Sequence, residues 1–318
     1  ESDAWGWVPP PLINEGRKQL EEQIDYRPPW HRILRHTMLQ APHPTYFGLL
    51  SVFTLLGAGV IALLCYALHV PPGISVLLAL FWLLPASELA QNVTNLIITN
   101  VLPPRILPRF DFKEGVPLKY PTVVVVPSML SSAQEVDSLL SRLESHYLAN
   151  SDAALMFALL TDFNDASTAD TPKDAPLVER AIAGIRRLNQ RYQQGDRHPF
   201  YLFHRQRQWN PSERAWMGWE RKRGKLMEFG RLLHGEQGTS YIVQEGDLAA
   251  LTKFYRPEFT PFVITLDSDT QLPHEAARKL IGTLAHPLNR PKFSADGAQV
   301  TSGYTILQPR VNVHLASA

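Results

Sequence analysis

Cysteine is nearly missing from this chain of 318 residues, where Cys65 stands alone. A single thiol excludes an internal disulfide framework and any multi-thiolate zinc site within the chain. A surplus of either charge is missing too, with 31 Lys and Arg against 30 Asp and Glu. That balance argues against a polyanion binder, so no nucleic-acid partner is expected. No glycine-rich phosphate loop precedes a helix, which leaves a Walker-type hydrolase unsupported. The histidines form no i, i+4 pair with a glutamate, and Ser128 and Ser131 lack a G-x-S-x-G elbow. No internal repeat or low-complexity tract stands out.

The most informative absence is local. From His36 to Ser87 there is no Asp, Glu, Lys or Arg, and extension to Pro104 adds only Glu88. Tyr46–Val70 meets the length of about 20 residues that a helix needs to cross a hydrocarbon core. After Pro71-Pro72-Gly73 a second apolar run begins at Ile74 and turns mixed at Glu88, Gln91, Asn92 and Asn95. A buried hairpin of a soluble protein is the alternative, but so long an uncharged stretch favours the lipid bilayer. Arg17, Lys18, Arg27, Arg32 and Arg35 precede the first span, and Arg105 and Arg109 follow the second. By the positive-inside rule both ends are cytoplasmic. Glu88 is costly in lipid and should meet protein, water or headgroups.

Three parts are therefore expected: a cytosolic segment over residues 1–43, a transmembrane helical hairpin over 44–104, and an α/β domain over 105–318. In the last part short apolar runs alternate with helical patterns. Thr122–Val126, Leu155–Leu160, Phe200–His204, Phe262–Leu266 and Gly303–Leu307 read as strands. Ser132–Tyr147, Asp174–Gln193, Trp219–Leu233 and Pro273–Ala285 read as helices. Ligands of such sheets gather at the carboxyl ends of the strands. Asp162 follows one strand, and Asp267 and Asp269 follow another. Two carboxylates one residue apart can hold a hard divalent cation that bridges phosphate oxygens, and Mg2+ or Mn2+ suits such a site.

Competing readings of Asp267–Gln271 are a calcium loop, a haloacid-dehalogenase-like phosphatase and a structural turn. A calcium loop would want a ligand and a glycine where Gln271 and Leu272 stand. The phosphatase pattern expects a hydroxyl or Val at Gln271. The basic run Arg221, Lys222, Arg223, Lys225 is either a solvated or lipid-facing patch or, with Gly224, a diphosphate cradle. Trp209, Trp216 and Trp219 fit core or interface packing, or a sugar-stacking face.

Strand–Asp, K-x-G and strand–D-x-D after a membrane hairpin resemble the GT-A domain of cellulose-synthase-like processive glycosyltransferases. The phrases VPSMLSSAQEVDSLLSRL, HYLAN, FALLTDF, ITLDSDTQLP, LAHPLNRP and GYTILQPRV look like the glycosyltransferase module of bacterial cyclic β-1,2-glucan synthases. The resemblance implies a GT-A-like mixed sheet flanked by helices, and inverting transfer from UDP-glucose to a growing β-glucan acceptor at the bacterial inner membrane. It implies that Asp162 contacts uridine, that Lys222 and Gly224 form the K-x-G motif, and that Asp267 holds the donor while Asp269 ligates the metal. Lys225 stands where cellulose synthases carry Asn, and Ser128 is a donor-contact candidate in a Pro-Ser-Met variant of their Pro-Thr-Tyr. The family's general-base carboxylate and Q-x-x-R-W motif are not found between Thr270 and Ala318. The chain is therefore expected to be an amino-terminal piece of a longer polypeptide that includes a phosphorylase-like region. A non-catalytic module binding nucleotide sugar or anionic lipid, and a metal-dependent phosphohydrolase, remain as alternatives.

Overall fold

The computed structural model describes residues 29–102, 106–193, 195 and 197–310. The helix expected near residues 15–24 and the charges Arg17, Lys18, Arg27 and Arg105 lie outside them. The chain divides into two compact units, Glu1–Ile106 and Leu107–Ala318.

In the first unit, helix α1 spans Trp30–Gln40, α2 Pro42–Ala67 and α3 Pro72–Val101. Proline in the first turn of α2 and α3 costs no hydrogen bond, because those N–H groups have no helical partner. A Cβ on Gly57 would lie 3.1 Å from Ala86 Cβ, so α2 and α3 approach through small residues. Both helices are long and apolar enough to cross a membrane, and their most apolar windows are only 0% and 11% buried. Leu55, Leu63, Phe81 and Leu84 are exposed, and so is Glu88.

The second unit is built on a sheet in the order β6-β3-β2-β1-β7. Its strands are β1 (Thr122–Leu130), β2 (Leu155–Phe163), β3 (Phe200–Arg205), β6 (Tyr241–Glu245) and β7 (Phe262–Thr265). β7, β1, β2 and β3 run parallel, and β6 is antiparallel to β3. Strand alternation sorts the central side chains into two cores. Val124, Val126, Phe157, Leu159, Phe200 and Leu202 pack under α4 (Ala133–Ala149), α5 (Asp174–Arg191) and α7 (Ala276–Ala285). Val123, Val125, Ala158, Leu160, Tyr201 and Phe203 pack under α6 (Arg221–Leu233) and the 3-10 helix Leu248–Phe254. Coverage on both faces explains why these strands read as unbroken apolar runs.

Several boundaries differ from the sequence expectation. β1 does not stop at Pro127 but continues to Leu130. The Val125 carbonyl accepts from Leu266 N–H at 3.0 Å, so odd residues of β1 address β7. Pro127, which has no N–H, therefore falls where the β1–β7 ladder has ended, while pairing with β2 runs on to Leu130. Gly303–Leu307 is not a strand. Instead β8 (Lys292–Phe293) and β9 (Val300–Ser302) form a small separate ribbon. Pro273–Glu275 lies outside α7, because Glu275 takes a left-handed conformation at φ 58°. The hairpin of β4 (Gln208–Asn210) and β5 (Ala215–Met217) and the strand β6 were not anticipated. The mixed sheet flanked by helices, with two apolar helices before it, is the fold class expected.

Candidate functional site at the carboxyl ends of the strands

The alternation that buries Ala158 and Leu160 beneath α6 also turns Asp162 to that side, inside β2 rather than beyond it. Tyr201 and Phe203 do the same for Arg205 at the end of β3. Arg205 is fully buried and all five of its N–H groups have acceptors. Nε and Nη2 donate to Asp162 Oδ1 and Oδ2 at 2.8 and 2.9 Å. Nη1 donates to Glu228 Oε1 at 2.9 Å and the Trp219 carbonyl at 3.1 Å, and Nη2 also to the Arg221 carbonyl at 3.1 Å. Burial works against the guanidinium charge, but Asp162 and then Glu228 outweigh it and hold its pKa above the usual range. Glu228 in turn accepts from Ser240 N–H and Oγ–H at 2.6 and 2.7 Å.

Lys225 joins the same cluster. Its buried Nζ lies 3.0 Å from Asp162 Oδ2 and donates to the Ser128 carbonyl at 2.6 Å. Burial pushes this ammonium below the ordinary lysine pKa, and Asp162 draws it partly back. Ser128 is itself buried, with Oγ 3.3 Å from the Val126 carbonyl, so its main chain makes the contact with Lys225. A Cβ on Gly218 would run into Asp162 and Arg205, so only glycine lets this backbone lie on the pair.

An exposed group, Lys222, Asp267 and Asp269, lies beside this buried cluster. Glu220 and Arg221 both adopt left-handed φ, 50° and 46°, and redirect the chain into α6. One residue later, Lys222 forms an ion pair with Asp267, just past β7. Thr270 N–H bonds the Asp267 carbonyl at 3.0 Å, so Asp267–Thr270 is a turn with Asp269 exposed on it. Gly224 serves packing: a Cβ there would collide with the Trp219 carbonyl and ring. The tryptophan hairpin joins the loop after β2 through Ala166 and Trp216, which exchange hydrogen bonds of 2.9 and 2.8 Å. Trp209 and Trp216 pack with ring centroids 6.0 Å apart.

The sequence candidates thus form two groups: a buried one of Asp162, Lys225 and the Ser128 carbonyl, and an exposed one of Lys222, Asp267 and Asp269. Arg205 and Glu228 were missed. The signal for Arg205 was its place closing the strand run FYLFH, two residues on from Phe203. Glu228 gave no signal beyond being an acid in a basic helix.

Asp267 and Asp269 offer only oxygen atoms, and no group of three or more His, Cys, Asp or Glu is poised for a metal among the described residues. Two carboxylates fit a hard cation that keeps waters and takes phosphate oxygens, not a metal caged by protein alone.

A mostly parallel sheet with carboxylates and a basic helix gathered at its strand ends makes this unit an α/β domain with its polar residues at the strand ends. The particular relationship comes from comparison. Over 309 residues, 96% of this chain, the sequence is 36% identical to cyclic beta-(1,2)-glucan synthase NdvB of Rhizobium meliloti (strain 1021), and the match covers 10% of that protein. The chain is related to that segment of the synthase, in accord with the resemblance read from its motifs. No family model matches.

Proposed function

We propose that this chain is the donor-binding part of a membrane-bound, inverting glucosyltransferase. It takes UDP-glucose with Mg2+ or Mn2+ and serves the extension of β-1,2-linked glucan. The observation that carries this reading is the ion pair of Lys222 with Asp267 beside the Asp267–Asp269 turn. A diphosphate at this strand end would meet an exposed ammonium, and Asp267 and Asp269 would hold the cation. When bound, the cation supplies charge neutralisation at the departing nucleotide. Lys222 would turn from Asp267 to the phosphate oxygens, while Asp162, Lys225 and Arg205 form a rigid base for the uridine end.

The apolar, exposed surfaces of α2 and α3 support a transmembrane hairpin; its placement in the inner membrane with both ends cytoplasmic belongs to the proposal and follows the flanking Arg and Lys. The growing glucan and the rest of a longer polypeptide, including a phosphorylase-like region, complete the set of partners.

Calorimetry of the chain in lipid nanodiscs tests the reading, with UDP-glucose titrated with and without Mn2+. Metal-dependent binding that Asp269→Ala removes is expected. Metal-independent binding, or binding unchanged in Asp269→Ala, overturns it.

A further inference from the structure

Helix α4 carries Arg142 and His146 one turn apart on one face, and Asn150, its C-cap, follows at the helix end. Their neighbours Leu139, Leu143 and Tyr147 enter the core. The polar three instead engage the segment that leaves β7. Arg142 Nη1 donates to the Ser268 carbonyl at 2.6 Å. His146 Nδ1 accepts from Leu272 N–H at 3.4 Å, which requires the neutral ring with its proton on Nε2. Asn150 Nδ2 donates to the Leu272 and Pro273 carbonyls at 3.3 and 3.1 Å, and its Oδ1 accepts from Ala277 N–H at 3.1 Å.

These bonds follow chain order, rung by rung, from the residue between the two aspartates to the first turn of α7. The segment between Thr265 and Ala276 belongs to no helix or strand. Its position is therefore set by what grips it, and a polar loop backbone gripped by side chains gains a single placement. The carboxylates of Asp267 and Asp269 project from the span whose middle carbonyl Arg142 holds.

We infer that Arg142, His146 and Asn150 are positioning residues for the Asp267–Asp269 pair: a three-rung ladder on α4 and its C-cap that fixes the loop from behind and thereby sets how the two carboxylates meet a cation and its diphosphate. This rests on the donor-site reading above. All three bond backbone atoms of the loop and of the start of α7, so their effect passes through the loop backbone.

The test uses the full chain in nanodiscs, as wild type, Arg142→Ala and Arg142→Lys. Three readouts are taken: Mn2+ affinity in the presence of UDP by electron paramagnetic resonance, hydrogen exchange of the Thr270 and Leu272 amides, and the unfolding midpoint. Arg142 is exposed and alanine suits a helix, so the midpoint should hold. In Arg142→Ala, exchange in the loop should accelerate and Mn2+ affinity fall by about fivefold, the scale of one ordinary hydrogen bond. Arg142→Lys should recover part of both. Unchanged exchange in Arg142→Ala overturns the ladder, as does faster exchange with unaltered Mn2+ affinity. Failure of the wild type to bind Mn2+ with UDP instead overturns the donor reading on which the ladder depends.

Discussion

Arg205 grips Asp162 through two parallel hydrogen bonds of 2.8 and 2.9 Å, both residues lying buried at the ends of neighbouring strands. The same guanidinium reaches Glu228 on α6. Removing a buried arginine leaves its partners' charges uncompensated in low dielectric, which costs more than the net worth of the pair. Arg205→Met should therefore destabilise the domain by about 3–5 kcal/mol. Urea unfolding followed by far-ultraviolet circular dichroism measures this. A loss below about 1 kcal/mol, the range of an exposed pair, would show that the cluster does not hold the strand ends together.

Gly224→Ala is expected to be far worse than an ordinary helical substitution. Alanine favours helices by about 1 kcal/mol over glycine. Here the added methyl meets the Trp219 carbonyl and ring, so either Trp219 or the start of α6 must move. Overpacking of this kind costs about 1–3 kcal/mol. Net destabilisation in a thermal melt is the expected outcome, and net stabilisation would contradict the contact.

Lys222 and Asp267 separate binding from folding. Their ion pair is exposed on both sides, and such pairs contribute about 0–1 kcal/mol. Lys222→Ala should leave the unfolding midpoint nearly unchanged while weakening UDP binding about tenfold or more, since a charge-assisted contact to phosphate is lost. Comparing calorimetric affinity with the melt decides it: equal UDP affinity in the variant would remove Lys222 from the site.

His204 makes stability depend on acidity. Its ring is fully buried, with Nδ1 2.9 Å from the Thr161 hydroxyl and no hydrogen-bond partner for Nε2 among the described residues. Burial lowers its pKa from 6.5 to about 4; Asp162 and Asp174 pull it up, and Lys225 and Arg207 push it down. Below pH 6.5 the unfolded chain takes up a proton that the folded ring refuses, so stability falls as pH drops towards 4. The loss from this group is roughly 3 kcal/mol across that window and is absent above it. His146, lowered by burial and by Arg142, acts in the same direction. Urea midpoints at pH 7 and pH 5 should differ for the wild type and differ less for His204→Phe. An equal pH dependence in the variant would assign the effect elsewhere.

The central strands were legible because TVVVV, LMFALL and FYLFH are apolar on both faces, as strands covered on both sides must be. FVITL stood out as an apolar run too, although β7 is an edge strand with Val263 exposed, not the buried strand expected. The strand β6, YIVQE, was not, since it is a half-exposed edge whose identity depends on pairing with β3. The hairpin of β4 and β5 has only three residues in each strand, too few for a periodic signal. Asp162, Lys222 and the D-x-D pair stood out as charges at strand ends or in a basic run. Their division into a buried and an exposed group did not, because it depends on Arg205 arriving from β3. Arg142, His146 and Asn150 were not singled out from the sequence, since nothing local marks them. Their target, a loop more than 120 residues away, is a tertiary fact.

Pro127 has a consequence for where the chain can place a carboxylate. Were residue 127 able to donate, the next rung towards β7 would engage the Leu266 carbonyl, and the strand could zip onward through Asp267. Ser268 and Asp269 would then lie flat in pleated backbone, alternating between faces and unable to turn. An imino acid in a neighbouring strand thus acts as a ruler: it measures out the length of β7 and reserves the residues after it for a bend.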